Sequence, residues 1–588
     1  MATNKRKTMF KPACVVTITH GDIHANKGSC CGILIDTSIG YVLSHGSILA
    51  SCLLKGLRLN QGEHTLNTFI NNKNLMCEVL AEESPDLWNS NQTGNLHETP
   101  SIETAVTSVS TDNQISKDLQ HIKWRSDVHS FVSFSASIVD IFKCSAFQSA
   151  LERLMPDSSW ELVDRKGEKQ NSDDAVLDDT QNQDMHSLLS YFVLLKLHNW
   201  TPYKSKEVVR PAEYCQIGEQ VEICSTPFGG FKPEAFLNSY SHGIISNLAG
   251  RDNCLILSDA RCIPGGEGAP LYTIIHSKRY LTGIVVASLC WKNDEWIGFC
   301  ISCAIDKILD SLPTDKMSCI HRYIRGVPPS DGGERSLLGY MPLFPVTVLL
   351  QVGKTWGSGV IIGKKERLVL TCSHVIKDAN LFPVEAKIGS DDRLIKTEVI
   401  HRQHPLHHQF DLGLVRLSCG EQQLGMQKDV VECAKPTVGM KVFAVGYGVF
   451  GAEHNLAPSV TSGVISKVLH FKHIPVMVQT TCAVHPGASG GALVDGLGRL
   501  LGIIVCNTRD NSSGASFPHI NMSIPVCTVW PIISKFLVTG DSECLQALIV
   551  KNKLLDSLWS LGETAASFHS KHYDMKILKL QVVISRSS

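Results

Sequence analysis

The octapeptide Pro486-Gly487-Ala488-Ser489-Gly490-Gly491-Ala492-Leu493 has a counterpart 222 residues earlier, Pro264-Gly265-Gly266-Glu267-Gly268-Ala269-Pro270-Leu271. The proline, the glycines at the second and fifth places and the closing leucine coincide. The match continues outward. Gly463-Val464-Ile465-Ser466 repeats Gly243-Ile244-Ile245-Ser246, and Leu414-Val415-Arg416-Leu417 repeats Leu194-Leu195-Lys196-Leu197, both at a spacing of 220. Further upstream, Gly359-Val360-Ile361-Ile362 and, five residues on, Leu368-Val369-Leu370-Thr371 repeat Gly32 to Ile35 and Tyr41 to Ser44, now 327 apart. One domain is therefore present twice. The fall in spacing from 327 to 220 leaves 107 extra residues inside the first copy.

The copies are β-rich. Short runs of Val, Ile, Leu, Thr and Phe, such as Ala13 to Thr19, Val346 to Val352 and Val464 to Leu469, alternate with Gly, Pro, Asn and Asp. That rhythm predicts barrels or sandwiches, as opposed to βαβ units. Two polar segments, about 82–116 and 164–184, break it, and both fall within the extra residues of the first copy. Gly326 to Ser336, with Pro328-Pro329 and Gly332-Gly333, reads as a linker. Leu545, Leu548, Ile549, Leu554, Leu555 and Leu558 recur at helical spacing, with Asp541 or Ser542 as a cap. The domain plan is thus 1–325 with an insertion over about 75–190, a linker at 326–340, a second copy at 341–536 and a helical tail at 537–588.

Composition narrows the function classes. The 588 residues carry 55 Lys+Arg against 56 Asp+Glu, so no overall field favours nucleic acid or an anionic membrane. The 21 cysteines form no regular framework, which argues against a disulfide scaffold and for reduced thiols. Met1 to Pro12 is basic but lacks an apolar core behind it, so no secretory signal is expected. No apolar run approaches the ~18 residues of a membrane span.

The second copy carries the chemistry. Its Gly-rich turn holds one hydroxyl, Ser489, between glycines that let backbone N–H groups of Gly487 and Ser489 point at one spot, as an oxyanion requires. Serine needs a base. His374 ends an apolar strand in Leu370-Thr371-Cys372-Ser373-His374-Val375-Ile376, and Asp411 opens another in Phe410-Asp411-Leu412-Gly413-Leu414-Val415. Taken singly, each reads as an ordinary turn or strand-end residue. Together they stand in the order His, Asp, Ser, one of the three known chain orders of this constellation.

These three blocks resemble those of trypsin-fold serine proteases, closest to the Deg/HtrA-type branch, and the duplicated chain is similar to the family of peroxisomal leader peptide-processing proteases. The resemblance implies an all-β fold: two trypsin-like double β-barrel domains in tandem, the first degenerate with a large polar insertion, plus a short C-terminal helix. It implies a serine endopeptidase in which His374 is the base, Asp411 its orienting acid, Ser489 the nucleophile, and Gly487 and Ser489 the oxyanion donors. His519 and Asn521, beside the strand from Ile503 to Asn507, become candidates for the specificity pocket. No metal or cofactor is expected. The partners implied are protein substrates among peroxisomal matrix enzymes, cut at leader peptides or internal sites with self-processing, the peroxisomal import receptor, and further copies of the chain as a homo-oligomer. Two rivals remain: a Deg/HtrA-like quality-control protease, for which the residues after Phe536 are too few to form a peptide-binding PDZ module, and a non-enzymatic pseudoprotease.

The register gives the first copy no triad. Ser47 stands at the place of His374, Tyr191 at that of Asp411 and Glu267 at that of Ser489. His45 lies two residues early, opposite Cys372. His401, His404, His407 and His408 cluster, but Pro405 interrupts any common face, so a loop is expected there and no metal site. The vicinal pair Cys30-Cys31 is expected to stay unpaired, and Cys372 and Cys482 to be packing residues. The family implies a C-terminal Ser-Lys-Leu-type address. This chain ends Ile584-Ser585-Arg586-Ser587-Ser588, and Ser570-Lys571 is followed by His572. An alternative C-terminus is the expectation, with the peroxisome as first location and the cytoplasm as second.

Overall fold

The computed structural model describes residues 9–20, 27–50, 75–83, 131–155, 160–162, 188–203, 207–292, 295–313, 344, 346–389, 393–403, 410–426, 428–509, 516–549 and 559. Its β-branched and aliphatic runs become strands, and most of these strands close into rings, which pairs off nearly all sheet edges among the described residues. In the C-terminal copy the first ring runs Thr347–Val352, Thr355–Gly363, Leu368–Cys372, Leu412–Leu417, Ile395–Arg402, Val384–Ile388. The first ring of the N-terminal copy has the same order: Phe10–His20, Lys27–Asp36, Tyr41–His45, Tyr191–Leu197, Phe131–Lys143, Leu75–Glu83. Even the register agrees, since Gly32 faces Ser44 across the strands as Gly359 faces Thr371.

The second ring of the C-terminal copy runs Lys441–Gly446, Ser459–Phe471, Ile474–Thr480, Ser516–Pro525, Leu500–Arg509, Ala492–Asp495. Its counterpart runs Gln220–Ser225, Ser239–Ala249, Leu255–Ser258, Glu295–Ala304, Lys278–Lys292, Pro270–Ile275, and Trp160–Leu162 adds a seventh strand beside Lys278–Lys292. The all-β tandem of double barrels is therefore what the sequence led us to expect. Inward positions supply the cores: Leu368–Cys372 is buried at every residue, and Val348, Leu350, Val360, Leu370 and Leu414 are at most 1% exposed. Each such aliphatic side chain contributes roughly 1.5–3 kcal/mol on leaving water.

Two expectations need correction. The insertion is not continuous over 75–190, because Leu75–Glu83 and Phe131–Lys143 are ring strands pairing with each other and with Phe10–His20 and Tyr191–Leu197. The alternation Phe131-Val-Ser-Phe-Ser-Ala-Ser-Ile-Val139 exposes every second residue over part of its length, so it read as part of the polar surroundings. The added residues lie between these strands and after Lys143, where Ser145–Leu154 forms a helix burying Phe147, Ala150, Leu151 and Leu154. The C-terminal helix is Val526–Thr539, earlier than the leucine spacing suggested. It buries Val526, Val529, Ile533 and Phe536 and stops at Gly540, whose φ of +67° suits a glycine cap. Pro531 inside it lowers its apparent helical propensity. Asp541 does cap, but a 3₁₀ stretch, Ser542–Leu548.

The linker, residues 84–116 of the first polar segment, the whole of the second, His404, His407, His408, Leu554, Leu555, Leu558 and the C-terminal residues from 560 lie outside the described residues. Among the described residues no helix is long and apolar enough to cross a membrane. The described cysteines are free thiols and mostly buried, Cys30, Cys31, Cys372 and Cys482 among them.

Candidate active site

Strand pairing brings His374 to Asp411. Leu368–Cys372 and Leu412–Leu417 are adjacent and antiparallel, with Cys372 facing Leu412. The residues just beyond their paired ends therefore meet, and Ser373 N–H donates to the Asp411 carbonyl at 3.1 Å. The Asp411 carboxylate takes two bonds from one residue: Oδ1 accepts the His374 backbone N–H at 3.0 Å, and Oδ2 accepts from ring Nδ1. This fixes the imidazole with its proton on Nδ1 and its other nitrogen available as a base. Cys372 brings a third heteroatom near the pair, within 4.8 Å, but its thiol is buried and donates to the Ile504 carbonyl at 3.2 Å. That bond ties the first ring to the second.

Ser489 comes from the second ring, on the turn entering Ala492–Asp495. Its Oγ donates to the Val505 carbonyl at 2.8 Å, and no hydrogen bond joins it to His374 among the described residues. Catalytic hydrogen bonds are often long or unformed before substrate binds.

The turn itself is braced bond by bond. Pro486 carbonyl accepts Val449 N–H at 2.9 Å, and Ala488 carbonyl accepts Gly491 N–H at 2.9 Å. In a trans peptide the N–H points opposite its carbonyl. Gly487 N–H and Ser489 N–H, which belong to these two peptides, are thereby aimed away from both anchors, and neither is spent on a protein acceptor among the described residues. Ser358 completes the brace: its hydroxyl donates to the Gly487 carbonyl at 2.7 Å and accepts from Tyr447 N–H at 2.8 Å, while its N–H donates to the Ser489 carbonyl at 2.7 Å. Gly487 has φ +91°, and a Cβ there would stand 2.4 Å from both Trp356 Nε1 and the Tyr447 carbonyl. Gly487→Ala must shift this peptide. We expect kcat/KM to fall by about 10²–10³, the loss typical of one oxyanion donor, in a steady-state assay on folded protein.

The N-terminal copy keeps this framework without the hydroxyl. Gly265 and Gly268 have φ +90° and +86°, against +91° and +85° at Gly487 and Gly490. Cys31 stands for Ser358: its N–H donates to the Glu267 carbonyl at 2.8 Å, its thiol donates to the Gly265 carbonyl at 3.3 Å and it accepts from Thr226 N–H at 3.0 Å. Glu267 then fills the site from within, its Oε2 accepting the Gly265 N–H at 2.8 Å. A carboxylate oxygen thus occupies the place where the equivalent Gly487 N–H would meet an oxyanion.

His45 is no base here. It is fully buried, its Nδ1 accepts from Ser47 N–H at 3.2 Å and its Nε2 donates to the Leu189 carbonyl at 3.2 Å. Burial pushes its pKa down to about 4. The unfolded chain takes up this proton near 6.5, whereas the folded copy resists until about 4. Stability is therefore full above that window and is lost as pH falls through it, by about 2 kcal/mol at pH 5. Urea midpoints at pH 7 and 5 should show the drop, and His45→Gln should show less of it.

His519 and Asn521 both bond to the main chain of the neighbouring segment 480–482. Asn521 is fully buried, its amide donates to the Thr480 and Cys482 carbonyls at 3.2 and 2.8 Å, and its oxygen accepts from the Thr480 hydroxyl at 2.9 Å. His519 Nδ1 donates to the Thr481 carbonyl at 3.0 Å. Both brace the segment 480–482 leading to the serine turn. Sequence reasoning missed Ser358 and Thr371, whose hydroxyl donates to the Ser358 carbonyl at 2.6 Å. Their signal was a polar residue beside each repeated strand motif, matched by Cys31 and Ser44.

Residues 357–503 match the model for the trypsin-like peptidase domain. The chain is 33% identical over 440 residues to the peroxisomal leader peptide-processing protease of Mus musculus, covering 72% of this chain and 74% of the relative. It is 34% identical over 448 residues to the Homo sapiens protein of that name, covering 73% and 76%. Protease Do-like 1, chloroplastic, of Arabidopsis thaliana matches at 31% over 200 residues, covering 33% of this chain and 42% of the relative. The chain is thus a serine endopeptidase acting on proteins, and it belongs to the family of peroxisomal leader peptide-processing proteases.

Proposed function

We propose that His374, Asp411 and Ser489 act as one triad and that Gly487 and Ser489 N–H groups form the oxyanion hole. The observation that carries this is the His374–Asp411 pair together with a serine turn whose two free N–H groups are held by anchored carbonyls. His374 takes the Ser489 proton as Oγ attacks the scissile carbonyl. Asp411 stabilises the imidazolium, and the two N–H groups take the developing negative oxygen. The proton then passes to the leaving amine, and water, deprotonated by the same imidazole, releases the acyl group.

The substrates in this reading are peroxisomal matrix enzymes, cut at leader peptides or internal sites, and the location is the peroxisome. The names of the Mus musculus and Homo sapiens relatives support both. Self-processing, delivery by the import receptor and homo-oligomerisation belong to the same reading. Purified chain is incubated with a leader-bearing peroxisomal enzyme and the new N-termini are sequenced. One defined cut that is absent with Ser489→Ala supports the proposal, and scattered cuts across unfolded chains would favour a Do-like degradative role instead.

A further inference from the structure

The N-terminal copy has lost its triad yet packs against the catalytic turn at two points. Phe299, on its strand Glu295–Ala304, sets its ring edge-on to His485, with centroids 5.1 Å apart and planes at 63°. Both residues are buried. His485 begins the serine turn, since its carbonyl accepts the Ala488 N–H at 3.0 Å. The second point is Val449 with Phe450, a loop of the C-terminal copy that joins the buried apolar cluster of the N-terminal copy, to which Leu257, Ile297 and Phe299 also belong.

Val449 is a backbone outlier. Its φ is +74°, and Phe450 N–H donates back to the Gly448 carbonyl at 2.9 Å, closing a three-residue turn around it. A β-branched residue holds that conformation only when its surroundings enforce it. Its N–H is the one that anchors the Pro486 carbonyl and so aims the Gly487 N–H.

The duplication supplies an internal control. In the N-terminal copy Phe228 takes the place of Val449, with φ +63° and an N–H bond to the Pro264 carbonyl at 2.8 Å, yet it is 53% exposed. Ile263 takes the place of His485 and is 42% exposed, against 5% for His485. The same two positions are largely exposed in the silent copy, where Phe228 meets only the ring edge of Phe236 among the ring contacts of the described residues, and are buried in the active one. Only about 20 Å³ of space remains among Phe299, Ala483, His485 and Ala488, room for one water at most, so this is a packing contact and not a ligand site. Polar bonds fix the alignment: Asn247 Nδ2 donates to the Ala457 carbonyl and Ser459 hydroxyl at 2.9 and 3.0 Å, and Asp259 Oδ2 accepts from Ser462 N–H at 2.7 Å.

We propose that the silent copy is a positioning element of the active site: Phe299 supports His485, and the apolar seat for Val449 and Phe450 keeps the Pro486–Gly487 peptide turned so that Gly487 N–H faces the oxyanion. Phe299 touches no reacting atom and acts through the turn. This rests on Ser489 as nucleophile and Gly487 as donor.

The test uses the full chain and a fluorophosphonate–rhodamine probe, whose phosphoryl oxygen enters the oxyanion hole as Ser489 attacks phosphorus and expels fluoride. The labelled amplitude reports the folded fraction, and the second-order rate reports positioning. Phe299→Ala should label about 10–100-fold more slowly, approaching the loss of a whole donor, at full amplitude and with an unshifted pH midpoint, because the His374–Asp411 pair sits on the other ring. Phe299→Met, which keeps the bulk, should stay within about threefold of wild type. A wild-type rate for the labelled fraction of Phe299→Ala overturns the inference, whatever the amplitude. Should that variant not fold, Phe299→Leu and Phe299→Val decide: rates falling with side-chain volume support it, and rates equal to wild type overturn it. If Ser489→Ala labels like wild type, the reading beneath fails instead.

Discussion

Ser489→Ala in the full chain is expected to lower kcat by about 10⁵-fold or more while leaving the fold in place, the scale seen when a serine nucleophile is removed from such a triad. The two halves of this expectation have separate causes. Chemistry is lost because no other hydroxyl in the turn can attack from between Gly487 and Gly490. The fold survives because the turn is held by main-chain groups: the residue 489 carbonyl takes the Ser358 N–H, and Gly490 N–H donates to the Ile504 carbonyl at 2.7 Å. Neither uses the hydroxyl. The side chain gives up only its bond to the Val505 carbonyl. Urea midpoints should agree with wild type within about 0.5–1.5 kcal/mol, the worth of one such bond.

Asp411→Asn is expected to lower kcat about 10⁴-fold with KM changed little. The carboxylate accepts both the main-chain N–H and the ring Nδ1 of His374. An amide can still accept the first bond, so the residue keeps its place. Turned to the ring, its NH₂ donates where an acceptor is needed. Nδ1 then carries the lone pair, the proton sits on Nε2, and the imidazole can no longer take the Ser489 proton. Steady-state kinetics check the split: a raised KM with unchanged kcat would mean that Asp411 serves binding instead.

Much of this was legible in the sequence because the chain contains its own alignment. Two copies, compared residue by residue, gave the duplication, the serine turn and the absence of a triad in the first copy, where Ser47, Tyr191 and Glu267 stand in the three places, while the double-barrel architecture was implied by the family resemblance. Phe131–Lys143 escaped notice because its outward residues are Ser and Ala amid long polar stretches. Val526–Thr539 hid behind Pro531. The braces of the turn left only a faint trace, a polar residue beside each repeated strand motif, and their partners stayed hidden for a different reason. Ser358 acts through a carbonyl 129 residues further on, Thr371 holds the Ser358 carbonyl on the neighbouring strand, and Asn521 is drawn inward by Thr480 and Cys482. Such roles depend on which main-chain groups face each other once the rings close, and no spacing encodes them.

The silent copy gains meaning from the same comparison. Glu267 satisfies the Gly265 N–H internally, so its turn persists without substrate or partner. Among the described residues the active turn has no such internal anion, and its supports at His485 and Val449 come from the other copy. Duplication followed by loss of one triad leaves a domain free to hold the other in shape.

The central claim is that Ser489 is the nucleophile of a protease. The most direct measurement is to label the full chain with a fluorophosphonate, digest it and locate the adduct by mass spectrometry. A single adduct on Ser489, lost in His374→Ala, is the predicted result. An adduct on any other residue, or proteolysis that persists with no adduct formed, would contradict it.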